Sequence, residues 1–298
     1  MPFLLLALAV LFWAGNWVMA RALRFDVPPV ALAFWRWTIA FVILLPLSAV
    51  ALRIQWRQVL YAWKPLCLLA LLATVLQHIP IYIGLKYTAA TNGALLNATS
   101  PIFILLLSWL FLGERLSLQA IIGILISLGG VLWIVTRGDV AVLTMLNFNI
   151  GDLWVLLATL SWAGYTVCLR WRPANLDPLV FLTSIAVIGV AAMAPLYALE
   201  IAGGTTMKVN AASLLGIIYV GMFASVFAYI FWNRGVQQVG PARAGAFMYL
   251  MPVFAATLSM ALLDETLRYY HVIGIVLIFS GIYLSTRTYP STAMREVN

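Results

Sequence analysis

The chain has 298 residues, 64% of them hydrophobic and only 9% charged, with a net charge of +8. A soluble domain carries about 25% charged residues, so this composition excludes a water-soluble surface and marks an integral membrane protein. The basic residues stand at the ends of apolar runs rather than in one patch, which argues against a nucleic-acid partner and makes the charge a topology signal.

A membrane helix needs roughly 20 mostly apolar residues. Ten spans are predicted, near 3–22, 30–52, 65–86, 89–112, 117–136, 152–169, 178–200, 212–234, 241–263 and 267–286. The breaks carry charge or turn chemistry: Phe25 to Pro29, Arg53 to Lys64, Gly113-Glu114-Arg115, Arg137 to Gly151, Arg172 to Pro178, Gly203-Gly204 and Val239-Gly240-Pro241. The runs are apolar all round without alternation, which excludes a β-barrel. The first run lacks a basic leader and is followed by Arg21 and Arg24, so it is read as a mature span and not a signal peptide. Cys67 and Cys168 both lie within spans, and no disulfide framework is expected.

The stretch from Pro101 to Gly130 recurs from Pro252 to Gly281, with eleven of thirty positions identical, including Pro101/Pro252, Glu114/Glu265, Gly123/Gly274 and Gly130/Gly281. Upstream, Trp13-Ala14-Gly15 recurs as Trp162-Ala163-Gly164, and Pro46-Leu47 as Pro195-Leu196. Each copy then holds five spans, in residues 1–140 and 141–298. Five is odd, so the second copy enters the membrane from the opposite side. The expected fold is an all-α integral membrane protein with ten transmembrane helices in two inverted-topology repeats, an architecture of secondary transporters. With the N-terminus cytoplasmic and Arg36 set aside as lying within a span, the loops, tail and span ends of the inner side carry ten Lys and Arg and those of the outer side six. This bias puts both termini inside, and the short loops suit a bacterial inner membrane.

Thr74, His78 and Tyr82 share one face of the third span and map onto Ser225, Tyr229 and Asn233 of the eighth. Such paired polar-aromatic stripes point to a cavity between the repeats. Trp13 and Trp162 fall mid-span, away from the interfacial belt, and either line that cavity or pack beside Gly15 and Gly164. Asn16, Trp17 and Tyr165 follow on the same helices. Asn97, Thr99 and Ser100 precede Pro101, which frees the Asn97 carbonyl, and Met248, Tyr249 and Met251 precede Pro252. Arg36 sits seven residues into the second span, with Ile185 at its counterpart position, and two accounts stand: snorkelling to the outer surface, or attracting a substrate carboxylate. Pro46, Pro80, Pro101, Pro195 and Pro252 interrupt spans as kinks or gating points. Glu114 and Glu265 are read as structural turn residues near helix N-termini. All nine Asp and Glu residues fall in loops, tails or span ends, which leaves His78 as the central titratable group. HExxH, GxSxG, GxxxxGK[ST] and cysteine clusters are absent, so no enzyme activity, metal or cofactor is expected.

The Trp-Ala-Gly of spans one and six, Pro101…Gly113-Glu114-Arg115-Leu116…Gly123 and Pro252…Asp264-Glu265-Thr266-Leu267…Gly274 resemble the EamA-type branch of the drug/metabolite transporter superfamily. Within it the chain is most similar to bacterial aromatic amino-acid exporters of YddG type. The resemblance implies a central cavity and export of amino acids or related metabolites by alternating access. The first span lacks the membrane carboxylate that the small multidrug resistance relatives use. The expectation is facilitated export of aromatic and other neutral amino acids, with the substrate and the lipid bilayer as partners and a monomer as the unit. Proton antiport through His78, a sugar-phosphate or nucleotide-sugar carrier and, from another class, a membrane-embedded enzyme or ligand sensor are the alternatives. A sugar-phosphate or nucleotide-sugar carrier needs several cavity cations to meet phosphate.

Overall fold

The computed structural model describes residues 1–23, 25–88, 90–114, 117–145, 149–263 and 268–287. Among these the chain is helical, with no strand. The helices are α1 (Pro2–Ala22), α2 (Pro29–Tyr61), α3 (Trp63–Ala70), α4 (Leu76–Tyr87), α5 (Ala90–Asn97), α6 (Ser100–Leu112) and α7 (Leu118–Val135). They continue as α8 (Ile150–Cys168), α9 (Pro178–Ala202), α10 (Ala211–Tyr219), α11 (Ala228–Val239), α12 (Pro241–Ala246), α13 (Leu250–Leu263) and α14 (Tyr269–Arg287). Among the described residues, nine stretches are long and apolar enough to cross a bilayer. The remaining predicted span, 241–263, is divided into α12, a 3₁₀ turn (Phe247–Tyr249) and α13. Glu265 and Arg115 lie outside the described residues.

Three features depart from the simple span reading. First, α2 does not stop near residue 52 but runs on through Arg53 and Arg57 to Tyr61. That segment holds no Gly or Pro and is rich in helix formers, so only its hydropathy ends where a loop is predicted. At 1.5 Å per residue, α2 is about 50 Å long, more than a bilayer core of about 30 Å. Second, Pro46, Pro80 and Pro195 sit inside α2, α4 and α9 without ending them. The fourth and ninth spans do break, between α5 and α6 just before Pro101, and at the 3₁₀ turn before Pro252. Pro101 occupies the first turn of α6, where its missing N–H costs nothing. The Asn97 carbonyl accepts from Ser100 Oγ at 2.7 Å, and the Leu96 carbonyl from Thr99 Oγ1 at 2.6 Å. Third, π-helical turns (Leu71–Val75 and Val220–Phe227) link α3 to α4 and α10 to α11. They overlap at an offset of 151.

Packing follows the small residues. In a bilayer, helices are held by close van der Waals contact rather than by exclusion of water. Along the seam of α7 and α14, a Cβ on Gly130 would meet the Gly274 carbonyl oxygen at 2.7 Å, and a Cβ on Gly274 the Gly130 carbonyl oxygen at 2.8 Å. Gly123 and Gly281 approach each other in the same reciprocal way, so the two helices cross backbone to backbone. Gly84 against Gly151 joins α4 to α8, and Gly235 against Leu6 joins α11 to α1. Since Gly84 maps onto Gly235, the third span packs on the sixth as the eighth packs on the first.

The pair α2 and α9 is tied along its length. Glu200 accepts from the Val30 and Ala31 N–H groups at 3.1 and 2.8 Å, satisfying free donors at the start of α2. Ser48 and Thr183 hydroxyls are 2.9 Å apart, and at the far end the Asp177 N–H donates to Gln55 Oε1 at 2.9 Å. At the Glu200 end, Lys208 pairs with Asp26 at 3.2 Å.

Candidate functional site

Where α1, α2, α4, α8 and α11 converge, aromatic rings meet at the centre of the bundle. Trp13 and Trp162 cross edge to face at 4.8 Å between centroids, and Tyr229 lies 5.8 Å from each. Trp232 closes on Trp13 at 5.2 Å and Trp37 on Tyr229 at 5.0 Å. Trp37 also faces the His78 ring at 6.0 Å. Trp13 therefore packs against rings from α8 and α11.

The π turns anchor this cluster. An i→i+5 turn departs from the regular helical ladder and leaves carbonyls able to accept side-chain donors. Ala73, in the first turn, accepts from Tyr229 Oη at 2.9 Å. Its counterpart Ala224, in the second, accepts from Trp13 Nε1 at 3.0 Å and from Arg36 at 3.3 Å. Each turn thus receives donors from the other half of the chain.

Arg36 is 1% exposed, so the snorkelling account is overturned: its guanidinium points into the bundle. Nε donates to Ser225 Oγ at 2.9 Å, and one terminal nitrogen to Tyr82 Oη at 3.1 Å and Asn16 Oδ1 at 3.4 Å. Depth along a span cannot reveal this, because what decides it is which way the residue faces. His78 is buried one turn from Tyr82, its Nδ1 3.1 Å from the Thr74 carbonyl.

A cavity of about 40 Å³ lies among these groups. That is room for about one or two waters, so a metabolite requires the surrounding helices to part. Of the predicted binding residues, Trp13, Asn16, Trp17, His78, Asn97, Trp162, Tyr229 and Met248 line it, joined by Arg36, Gln77 and Met251. Trp162 Nε1 and Gln77 Oε1 are buried without hydrogen-bond partners. Asn97 Nδ2 donates weakly to Met251 Sδ at 3.7 Å, tying the fourth span to the ninth.

Five predicted residues stand outside this cavity. Tyr82 Oη accepts from Arg36 at 3.1 Å. Ser100 is used in the helix break. Tyr249 is buried, its hydroxyl unpartnered, away from the lining. Tyr165 donates to Asn233 Oδ1 at 2.8 Å, and Asn233 lines a second cavity of about 420 Å³ with Arg172, Asp177, Arg234 and Gln237. The third and eighth spans therefore do not contribute equivalently: Tyr229 lines the central cavity, while Asn233, one turn on, lines the larger one. Trp37, Gln77 and Trp232 escaped the sequence reading. The available signal was helical spacing, with Trp232 three residues after Tyr229 and Gln77 three residues after Thr74.

Glu114 follows Gly113, the left-handed C-cap of α6 at φ 64°. The N-cap of α7 is Ser117, whose side chain accepts from the Ala120 N–H. Burial raises the Glu114 carboxyl above its ordinary value, and Arg170 and Arg243 offset part of that rise.

Comparison with known proteins agrees with this architecture. The profile of the EamA-like transporter family matches residues 1–136 and 149–287. An "Uncharacterized transporter" of Archaeoglobus fulgidus is 27% identical over 288 residues, covering 95% of this chain and 96% of that protein. "Uncharacterized transporter YyaM" of Bacillus subtilis (strain 168) is 28% identical over 206 residues, covering 67% and 66%. A crystal structure of a protein at 20% identity has a TM-score of 0.77 over 96% of both chains, a likeness of fold. With apolar helices throughout and profile matches over nearly the whole length, the chain belongs to the EamA-like transporter family and is a multi-pass membrane transporter.

Proposed function

We propose that the protein exports aromatic and other neutral amino acids or related metabolites by alternating access, as a facilitated carrier and not an enzyme. The observation that carries this is the central cavity walled by Trp13, Trp162 and Tyr229, with unpartnered polar atoms on Trp162 and Gln77. Aromatic walls suit aromatic and apolar side chains, and buried polar atoms without partners suit a ligand that supplies them. In this reading residues 1–140 and 141–298 are two inverted five-helix repeats making ten spans. The exchanged packing of Gly84 and Gly235 and the matched π turns support it. Both termini lie on the cytoplasmic side of a bacterial inner membrane, which makes the Arg172–Arg234 cavity an inward vestibule. The monomer contains the complete site.

The test is uptake of labelled amino acids into vesicles carrying the purified protein, with His78→Ala and Trp162→Ala beside the unaltered chain. Saturable transport of aromatic amino acids, lost in both variants, is the expected result. Normal transport by both variants would sink the site assignment, and no flux of any substrate would sink the function. Proton antiport is a second reading, favoured by His78 in the cavity wall. Uptake that stops without an imposed pH gradient selects it over facilitated transport. A sugar-phosphate carrier fits poorly, since among the described residues Arg36 is the single Lys or Arg in the central lining.

A further inference from the structure

We propose that the central site recognises a carboxylate through Arg36 and an aromatic body through Trp13, Trp162 and Tyr229, and requires no ammonium group. Aromatic monocarboxylate anions are then its best-matched ligands. The inference rests on the transport reading above and narrows its substrate class.

Arg36 brings a cationic guanidinium with five N–H donors and no acceptor into the bundle. It is 1% exposed, and the acceptors around it are neutral: Ser225, Tyr82, Asn16 and the Ala224 carbonyl. No described carboxylate forms an ion pair with it. A buried charge without a counter-charge is costly, and a bound anion removes that cost. Two of the present bonds, at 3.4 Å to Asn16 and 3.3 Å to Ala224, are longer than good N–H···O bonds. A carboxylate facing the guanidinium fork offers shorter, charge-assisted bonds in their place.

A second unpaired donor belongs to a residue of the same lining. Trp162 is 4% exposed, lines the cavity, and its Nε1–H meets no acceptor. For an ammonium the lining offers aromatic faces and neutral acceptors but no carboxylate. The lining holds Asn, Gln, His, Met and aromatic side chains with no Asp or Glu, and an ammonium here shares a low-dielectric cavity with a guanidinium. Gln77 Oε1 is a single neutral acceptor, suited to one hydroxyl or N–H. The charge is also one-sided. The counterpart of Arg36 is Ile185, fully buried, so the carboxylate end has one place to bind in an otherwise duplicated frame.

The test compares three ligands with one aromatic body: hydrocinnamate (an anion), phenylalanine (a zwitterion) and phenethylamine (a cation). Binding to the purified protein is followed by quenching of tryptophan fluorescence. Hydrocinnamate binding at least as tightly as phenylalanine, with phenethylamine weaker by about tenfold or more, is the expected order. Arg36→Gln should weaken both carboxylates by about tenfold or more, and Arg36→Lys should restore part of the loss. If Arg36→Gln does not fold, the ligand order on the unaltered chain and Arg36→Lys carry the test. Phenethylamine matching hydrocinnamate, or Arg36→Gln binding like the unaltered chain, overturns the proposal. Phenylalanine binding tenfold tighter than hydrocinnamate also overturns it, while leaving amino-acid transport standing. Carboxylates that bind but are not moved in vesicles support the anion site and refute the transport reading.

Discussion

Adjacent glycines in α7 offer a sharp test of what holds the bundle together. A Cβ on Gly129 meets nothing within 4 Å, while a Cβ on Gly130 meets the Gly274 carbonyl oxygen at 2.7 Å and Ile278 and Leu277 carbons at 2.9 Å. Ordinary contact begins at 3.4 Å, so Gly130→Ala must part α7 and α14 by about 0.7 Å. A backbone oxygen cannot rotate away as a side chain can. Overpacking of this kind costs typically 1–3 kcal/mol, and a gap of that size along the seam forfeits a quarter to a half of each contact's attraction. Gly129→Ala carries none of that cost and gains about 0.5–1 kcal/mol of helix propensity. Gly130→Ala gains the same propensity, so the two variants should differ by the overpacking cost, about 1–3 kcal/mol, with Gly130→Ala the less stable. Reversible unfolding in detergent micelles, followed by circular dichroism, measures this. Gly130→Ala combined with Gly274→Ala should cost less than the sum of the two, because the first substitution already opens the seam for the second. Equal stabilities of the Gly129 and Gly130 variants, or strict additivity across the seam, would refute the reasoning.

Tyr229→Phe leaves the Ala73 carbonyl without its side-chain donor and should cost about 0.5–1.5 kcal/mol. Tyr249→Phe removes a buried hydroxyl that has no partner, so unfolding should show an unchanged or higher stability. Glu200→Ala deprives the start of α2 of two accepted N–H groups and should cost about 1–2 kcal/mol, read as earlier unfolding in the same assay. Glu114 gives the pH dependence. Its folded carboxyl is raised, so the stability linked to it is complete below its ordinary value of 4.5 and lost as pH rises through the folded value. The unaltered chain should lose stability relative to Glu114→Gln as pH rises above 4.5, and a difference that stays flat with pH would contradict the assignment.

The π turns join these energetics to the site. Trp13 and Arg36 reach Ala224, and Tyr229 reaches Ala73. These bonds tie the cavity wall to backbone in the middle of the third and eighth spans. Movement that opens the 40 Å³ cavity must therefore strain or exchange them.

Much of this was legible from the chain alone. Hydropathy located the helices because a bilayer admits only long apolar runs. Matching positions at one offset identified Gly123, Gly130, Gly274 and Gly281, and spacing put Trp13, His78, Trp162 and Tyr229 at mid-depth. Pro101 and Pro252 announced the breaks in the fourth and ninth spans, because a missing N–H is a local property of the chain. The end of α2 was misplaced for the converse reason: charge marks where the membrane stops, not where the helix does.

What only the tertiary structure decided is direction. Position in a span sets depth, but the face a side chain presents depends on which helices surround it. Arg36 could meet water or the centre on sequence grounds, and packing of α2 against α1, α4 and the second π turn sends it to the centre. Asn233 shares the stripe of Tyr229 yet opens onto the larger cavity, and Trp37 and Trp232 joined the aromatic cluster unannounced. The sequence by itself determined a membrane protein with a duplicated helical pattern and aromatic residues at mid-depth. Tertiary packing decided which of those residues surround one cavity, and that a buried guanidinium stands among them.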